Sequence, residues 1–215
     1  MRAIIKRHRH FWTQKHFILK VATGVALLFV SFLMNFYANV FALRKAGAPI
    51  SDILLDRIPT INVDLFYSES VFFFIVALVI IHLAEPKWIP FTLKSISLFI
   101  IIRSFAMTLT HLAPPEGMAI LDLAEISQKF SSGADLFFSG HTGLPFLMMF
   151  IFWQKKLLRW FFLIATVIGA ATVLLGKLHY SIDVFSAFFI AFTIFAIAKK
   201  IFCKDYELGI SSEVQ

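Results

Sequence analysis

The chain has 215 residues, 59% of them hydrophobic and 15% charged, with a mean hydropathy of +0.82. A water-soluble domain cannot hide that much apolar surface, so the composition excludes the ordinary soluble classes and specifies a polytopic membrane protein. The formal net charge of +7 is no nucleic-acid footprint, because the basic residues are interspersed between apolar spans; the single cysteine, Cys203, excludes an internal disulfide and a cysteine-rich metal site.

Six apolar stretches follow in chain order, near 17–43, 66–84, 92–113, 139–154, 157–176 and 180–202. A spanning helix takes roughly 20 residues, and only the fourth stretch is short by that measure. Helices are the expected form, since an open sheet cannot satisfy its backbone in lipid and no barrel-like alternation is visible. The fold class read here is all-α: a polytopic membrane protein of six transmembrane helices. No internal repeat or low-complexity linker divides it. Residues 1–16 read as a basic arm, 17–202 as one six-helix membrane domain and 203–215 as a tail. The first apolar run is too long for a signal-peptide core and lacks a small-x-small cleavage site, so an uncleaved first helix is expected.

Lys and Arg divide unevenly between the connections. Arg2, Lys6, Arg7, Arg9, Lys15 and Lys20 precede or open the first span, Lys87 and Lys94 fall in the 85–94 loop, Lys155, Lys156 and Arg159 lie at 154–159, and Lys199, Lys200 and Lys204 close the chain. These segments alternate, so fourteen of the 20 basic residues collect on one side. By the positive-inside rule both termini are cytoplasmic. The expected location is a bacterial inner membrane, with the opposite loops, 44–65, 114–138 and Gly176-Lys177, facing the periplasm. The 114–138 loop is acidic, with Glu116, Asp122, Glu125 and Asp135 against Lys129.

Three ionisable residues stand out against this background. His141 opens the fourth span, and His179 and Asp183 open the sixth. Both spans start on the non-cytoplasmic side, so topology alone puts the three at similar depth. Ionisable groups at membrane depth are costly and default to function. Residues i and i+4 share a helix face, so Asp183 can hold one ring nitrogen of His179 and aim the other outward, as nucleophilic or base chemistry requires. A second histidine, brought near in space, supplies the acid. Arg103 lies inside the third span and needs an anion or a wet cavity; a phosphate would serve. Ser139-Gly140 reads as a helix start, whose free N–H groups can bind an anion.

Structural readings cover the other polar residues. His111 suits an interhelical hydrogen bond, His82 looks interfacial, and His8, His10 and His16 belong to a solvated basic arm. Arg103 alone could pair with a buried acid, and Asp52 and Asp56 would ordinarily be solvated loop residues.

At these positions the chain resembles the type 2 phosphatidic acid phosphatase superfamily, and more closely its sphingomyelin synthase branch. Four blocks carry the resemblance. Pro49-Ile50-Ser51-Asp52, with Asp56 and Pro59, is similar to the family's Pro-Pro-Leu-Pro-Asp block. Arg103 through Met107, with Thr110, Leu112 and Pro114, resembles its third-helix block. Asp135-Leu136-Phe137-Phe138-Ser139-Gly140-His141-Thr142 matches Gly-Asp-x3-Ser-Gly-His-Thr, and His179-Tyr180-Ser181-Ile182-Asp183-Val184 with Ala187 matches His-Tyr-Thr-x-Asp-Val-x2-Ala. The resemblance implies six transmembrane helices with an outward or lumenal active site.

The departures are informative. The hydrolytic phosphatases place Ser-Arg seven and six residues before the last histidine, where this chain has Thr172 and Val173. Their Lys-x6-Arg-Pro block is missing, since Ile101 stands seven residues past Lys94, and Gly133-Ala134 replaces Cys-Gly before Asp135. Losing those cations weakens a site for a dianionic phosphomonoester, whereas a phosphodiester carries one charge.

The expected chemistry is therefore transfer of a phospholipid head group to a lipid alcohol through a His179-linked intermediate. Asp183 orients His179, His141 serves as acid and then base, and Asp135 orients His141, as the resemblance implies. Arg103 and Lys177 neutralise the phosphate, with Ser139 and Gly140 at the phosphate-binding helix start. No metal or other cofactor is expected. Partners are the bilayer and the phospholipid and lipid-alcohol substrates, with no nucleic acid. With water as acceptor, the enzyme would instead be a lipid phosphate phosphatase or a phospholipase C. The competing class is a non-enzymatic lipid carrier or channel, for which an inverted repeat or paired broken helices would speak; neither is visible.

Overall fold

The computed structural model describes residues 2–119 and 136–211. Among the described residues all regular structure is helical. The helices are α1 (Arg2–Trp12), α2 (Lys15–Lys45), α3 (Asp64–Ala84), α4 (Ile89–Leu109), α5 (Gly140–Ile151), α6 (Lys156–Leu175), α7 (Ser181–Ile201) and α8 (Cys203–Ile210), with single 3₁₀ turns at Leu55–Arg57 and Pro86–Trp88.

Five helical stretches are long and apolar enough to cross a membrane: α2, α3, the Pro86–Leu109 run that contains α4, α6 and α7. This is the make-up of an integral membrane protein. The fourth expected span, 139–154, is not among these five, although it runs from the end where Ser139 meets Asp183 to the end where Lys155 meets Glu85. Helix α5 has 12 residues, about 18 Å at 1.5 Å per residue, against a hydrocarbon core of roughly 30 Å. It ends where the amide of Phe152 donates to the Met148 carbonyl at 2.9 Å, and the polar Gln154-Lys155-Lys156 that follows cannot continue into lipid. The third span is also displaced. Pro90 in its first turn starts α4 at Ile89, so Lys94 belongs to the helix rather than to a loop. Pro114 and Pro115 follow its end, where Thr110 is already extended.

Backbone contacts sort the connections into two ends. At one end the Ile61 amide donates to the Leu175 carbonyl, the Ala119 amide to the Gly176 carbonyl and the Gly47 amide to the His111 carbonyl, each at 2.9 Å. At the other end Glu85 gathers Arg7, Lys87 and Lys155. There too the buried Asp205 pairs with Lys20 at 2.9 Å and Lys94 at 2.6 Å. The basic arm is thus not simply solvated: Arg7 donates to the Ala84 carbonyl at 3.1 Å, and the His8 ring meets the Leu83 carbonyl at 2.8 Å, docking α1 on the end of α3.

Aromatic packing fills the interior. Phe91, Phe99, Phe138, Phe152 and Phe162 are buried together with Leu147 and Met148 between α4, α5, α6 and α7. Many other large apolar side chains, such as Phe29, Phe72, Phe161 and Phe189, point outward. That inversion suits a lipid-facing surface, since lipid tails are as apolar as the side chains. Glycine sets the closest approaches. A methyl group added at Gly143 would lie 2.8 Å from the Phe99 ring, and one at Gly169 would fall on the His141 carbonyl oxygen. Helix α6 therefore crosses the start of α5 at a distance that only glycine permits.

Candidate active site

The site begins with the first turn of α7. His179 precedes the helix and Asp183 is its third residue; Nδ1 of His179 lies 3.2 Å from Oδ2 of Asp183. The same Oδ2 accepts the amide of Tyr180 at 3.1 Å. One carboxylate oxygen thus caps its own helix and grips the imidazole, which fixes both partners on the backbone. His179 is 3% exposed and Asp183 is fully buried. With Nδ1–H donating to Asp183, the lone pair of Nε2 is free for attack.

The start of α5 is tied to this turn. The Ser139 amide donates to the Asp183 carbonyl at 3.1 Å, and the Ser139 hydroxyl accepts from the Thr142 amide at 3.4 Å, making Ser139 the N-cap. Phe137 and Phe138 reach it through positive φ angles of 78° and 40°, a conformation that costs non-glycine residues energy and is typical of functional loops. Arg103 of α4 is buried beside this corner. Its Nε donates to the Phe138 carbonyl at 3.1 Å, and the guanidinium passes Gly140 so closely that a β-carbon there would sit 3.7 Å from Nε. Cation and helix N-terminus therefore share one place, a setting suited to an anion.

His141 occupies the first turn of α5, with its ring stacked on Tyr67 of α3 at 4.1 Å between centroids. Tyr67 in turn packs in one apolar cluster with Leu178 and Val184, the sequence neighbours of His179 and Asp183. Contacts through Tyr67 and through Ser139 therefore bring the two histidine-bearing turns together.

A second carboxylate anchors α7 from outside. Asp52 is 8% exposed, contrary to the solvated role expected of it. Its Oδ2 accepts the Ser181 amide at 2.7 Å, and its Oδ1 accepts the amides of Leu54 and Leu55 at 2.9 and 3.1 Å. Desolvation pushes its carboxyl upward, but the three amides together outweigh it and hold the pKa below 3.8. The Tyr180 hydroxyl donates to the Ala113 carbonyl at 2.9 Å and accepts the Ile50 amide at 3.2 Å. Burial, ahead of the neighbouring carboxylates, raises its pKa. A cleft of about 230 Å³ opens beside it, lined by Asp52, Asp56, Glu116 and Tyr180 among others.

Other expected members lie elsewhere. Lys177 is half-buried in the turn before α7 with φ 52°; no contact joins it to the dyad among the described residues. Asp135 lies outside the described residues. Thr172 and Val173 are buried with no cation in their place, and Lys94 is held by Asp205 at the far end. His82 bonds the Leu78 carbonyl of its own helix at 2.6 Å, a structural role. No group of three or more His, Cys, Asp or Glu suited to a metal ion occurs among the described residues. The sequence did not reveal Tyr67 as a neighbour of the dyad; Asp52 and Tyr180 were visible only as parts of their motif blocks.

Residues 133–200 match the model of the PAP2 superfamily C-terminal region. The matched segment contains His141, His179 and Asp183, and supports the type 2 phosphatidic acid phosphatase superfamily, whose members are phosphatases and phosphotransferases of lipid phosphates. The match does not select a branch. No curated protein matches the chain.

Proposed function

We propose that this protein is an integral-membrane phosphotransferase that cleaves a phospholipid head-group phosphodiester and passes the head group to a lipid alcohol, as in the sphingomyelin synthase branch. The observation that carries the reading is the buried His179–Asp183 pair at 3.2 Å. Nε2 of His179 attacks phosphorus, and the bond from phosphorus to the diacylglycerol oxygen breaks. His141 protonates that oxygen as it leaves. His141 then takes the proton of the incoming hydroxyl, whose oxygen attacks phosphorus and breaks the phosphorus–nitrogen bond, restoring His179. Asp183 stabilises the charge that His179 acquires, and Arg103 and the Gly140 end of α5 receive the phosphate oxygens.

A diester is favoured over a monoester because the positions of the missing Ser-Arg pair, Thr172 and Val173, are buried and uncharged, and Lys94 is engaged with Asp205. The two helix starts are tied at one level rather than strung along a pore, which supports an enzyme over a carrier. Both termini are assigned to the cytoplasm and the site to the periplasmic face of a bacterial inner membrane. The distribution of fourteen of the 20 basic residues supports this.

The test is to incubate the purified protein with mixed labelled phospholipids, phosphatidic acid and lipid alcohols, and to identify products by mass. Diacylglycerol with a head-group-bearing lipid alcohol is expected. Diacylglycerol with a soluble head-group phosphate would instead make water the acceptor. Rapid release of inorganic phosphate from phosphatidic acid, with no diester cleavage, would make the protein a lipid phosphatase on the same scaffold.

A further inference from the structure

Helix α3 contributes little to the interior: of its 21 residues only Tyr67 and Ile81 are buried. One of those two inward side chains rests on the proposed acid. The Tyr67 and His141 rings are stacked, with centroids 4.1 Å apart and planes 29° from parallel. Tyr67 is 7% exposed and shares its cluster with Leu178 and Val184, on either side of the His179 turn. It therefore sits between the two halves of the site, although no motif contains it.

From this we infer that Tyr67 is a positioning residue for His141, its ring fixing the plane of the imidazole and presenting a π face to the charge that the imidazole carries as a general acid. This rests on the proton-donor role proposed above for His141. A ring face beneath a cation is electrostatically favourable because the aromatic quadrupole is negative there, and the effect grows where water is excluded. Two stacked planes also remove the rotation that would swing the donor N–H away from the leaving oxygen, and orientation errors of that kind cost rate rather than binding. Because Tyr67 comes from a mostly outward-facing helix, α3 becomes part of the site without supplying any group that touches phosphorus.

The experiment uses the full-length protein in detergent as wild type, Tyr67→Phe and Tyr67→Leu, with two substrates. The first is a short-chain mixture of phosphatidylcholine and phosphatidylglycerol, whose diacylglycerol alkoxide needs a proton to leave, with a saturating lipid alcohol as acceptor. The second is bis(p-nitrophenyl) phosphate, whose leaving group departs without one. On the lipids, Tyr67→Phe should stay within about threefold of wild type, and Tyr67→Leu should lower kcat by about tenfold or more with KM within about twofold. The first-turnover burst of p-nitrophenolate should remain within about threefold in both variants, which also reports that their sites are folded. Tyr67→Met repeats the measurement with a longer side chain should the leucine variant not fold. Equal losses on both substrates, no loss on either, or a phenylalanine variant as impaired as the leucine variant would each overturn the role. Inactivity of the wild type on both esters would overturn the parent reading, and this role with it.

Discussion

The amide of Ser139 donates to the carbonyl of Asp183 across 3.1 Å, so the residue that opens α5 is bonded to the residue that orients His179. This one bond converts two distant sequence motifs into a common corner: it puts the start of α5 beside His179, the proposed nucleophile, and its carboxylate Asp183. Substitutions on either side of it should therefore act on one chemical unit.

His179→Ala should abolish turnover, because the nucleophile is gone. Asp183→Asn should leave a folded protein with activity lowered by roughly a thousand- to ten-thousandfold, the size seen when an orienting aspartate is amidated in a Ser-His-Asp triad. An amide facing Nδ1 favours the tautomer that places the proton on Nε2. Near-normal turnover of His179→Ala in detergent would exclude the mechanism.

Arg103→Lys should lower activity at least tenfold while keeping the charge. The guanidinium donates to the Phe138 carbonyl through Nε at 3.1 Å and to the Met107 sulfur through a terminal nitrogen at 3.6 Å; a single ammonium cannot reproduce that planar fork. Steady-state kinetics of Arg103→Lys and Arg103→Gln separate geometry from charge, and equal rates for Lys and Arg would remove the phosphate-clamp role.

Asp52→Asn should lower thermal stability at neutral pH by about 1–2 kcal/mol, the usual worth of a helix cap, and should lower activity through the loosened start of α7. The pH dependence has a definite sign. The native carboxyl titrates below 3.8, so its stabilisation is complete above that value and is lost as pH falls through the native pKa. Melting curves of wild type and variant should differ at pH 7 and converge in strong acid. A difference that persists or widens in acid would show that the charge is not what matters.

The histidine–aspartate set was legible in the sequence because ionisable residues are scarce in an apolar chain and an i, i+4 spacing has one geometric meaning. The apolar helices were legible for the same reason of composition, and the fourth stretch already read as short; the polar helices α1 and α8, read only as an arm and a tail, carry no apolar run to reveal them. Asp52 was legible as part of a motif block, but its contact with the start of α7 was not. Its partner Ser181 is 129 positions away, and an aspartate between Ser51 and Ile53 looks like any loop residue until the loop is seen folded over a helix end. Tyr67 was hidden more completely, since an aromatic near the end of a membrane span ordinarily reads as an interfacial anchor.

Labelling should settle the side of the membrane. In intact cells a membrane-impermeant maleimide should react with Glu116→Cys in a Cys203→Ser background, because Glu116 is exposed at the site end. The exposed native Cys203 at the opposite end should react only after permeabilisation. The reverse pattern would invert the proposed topology and move the chemistry to the cytoplasm.

The central claim is a covalent intermediate on His179, and the most direct measurement is to trap it. Wild type and His179→Ala are mixed with a labelled phosphodiester lipid, quenched within the first turnover under alkaline conditions that spare a phosphorus–nitrogen bond, digested and mapped by mass. A head-group phosphate adduct is expected on the peptide containing His179 in the wild type, formed as fast as diacylglycerol is released and absent from the variant. Diacylglycerol released in the first turnover with no adduct on His179, or with the adduct on another residue, would contradict it.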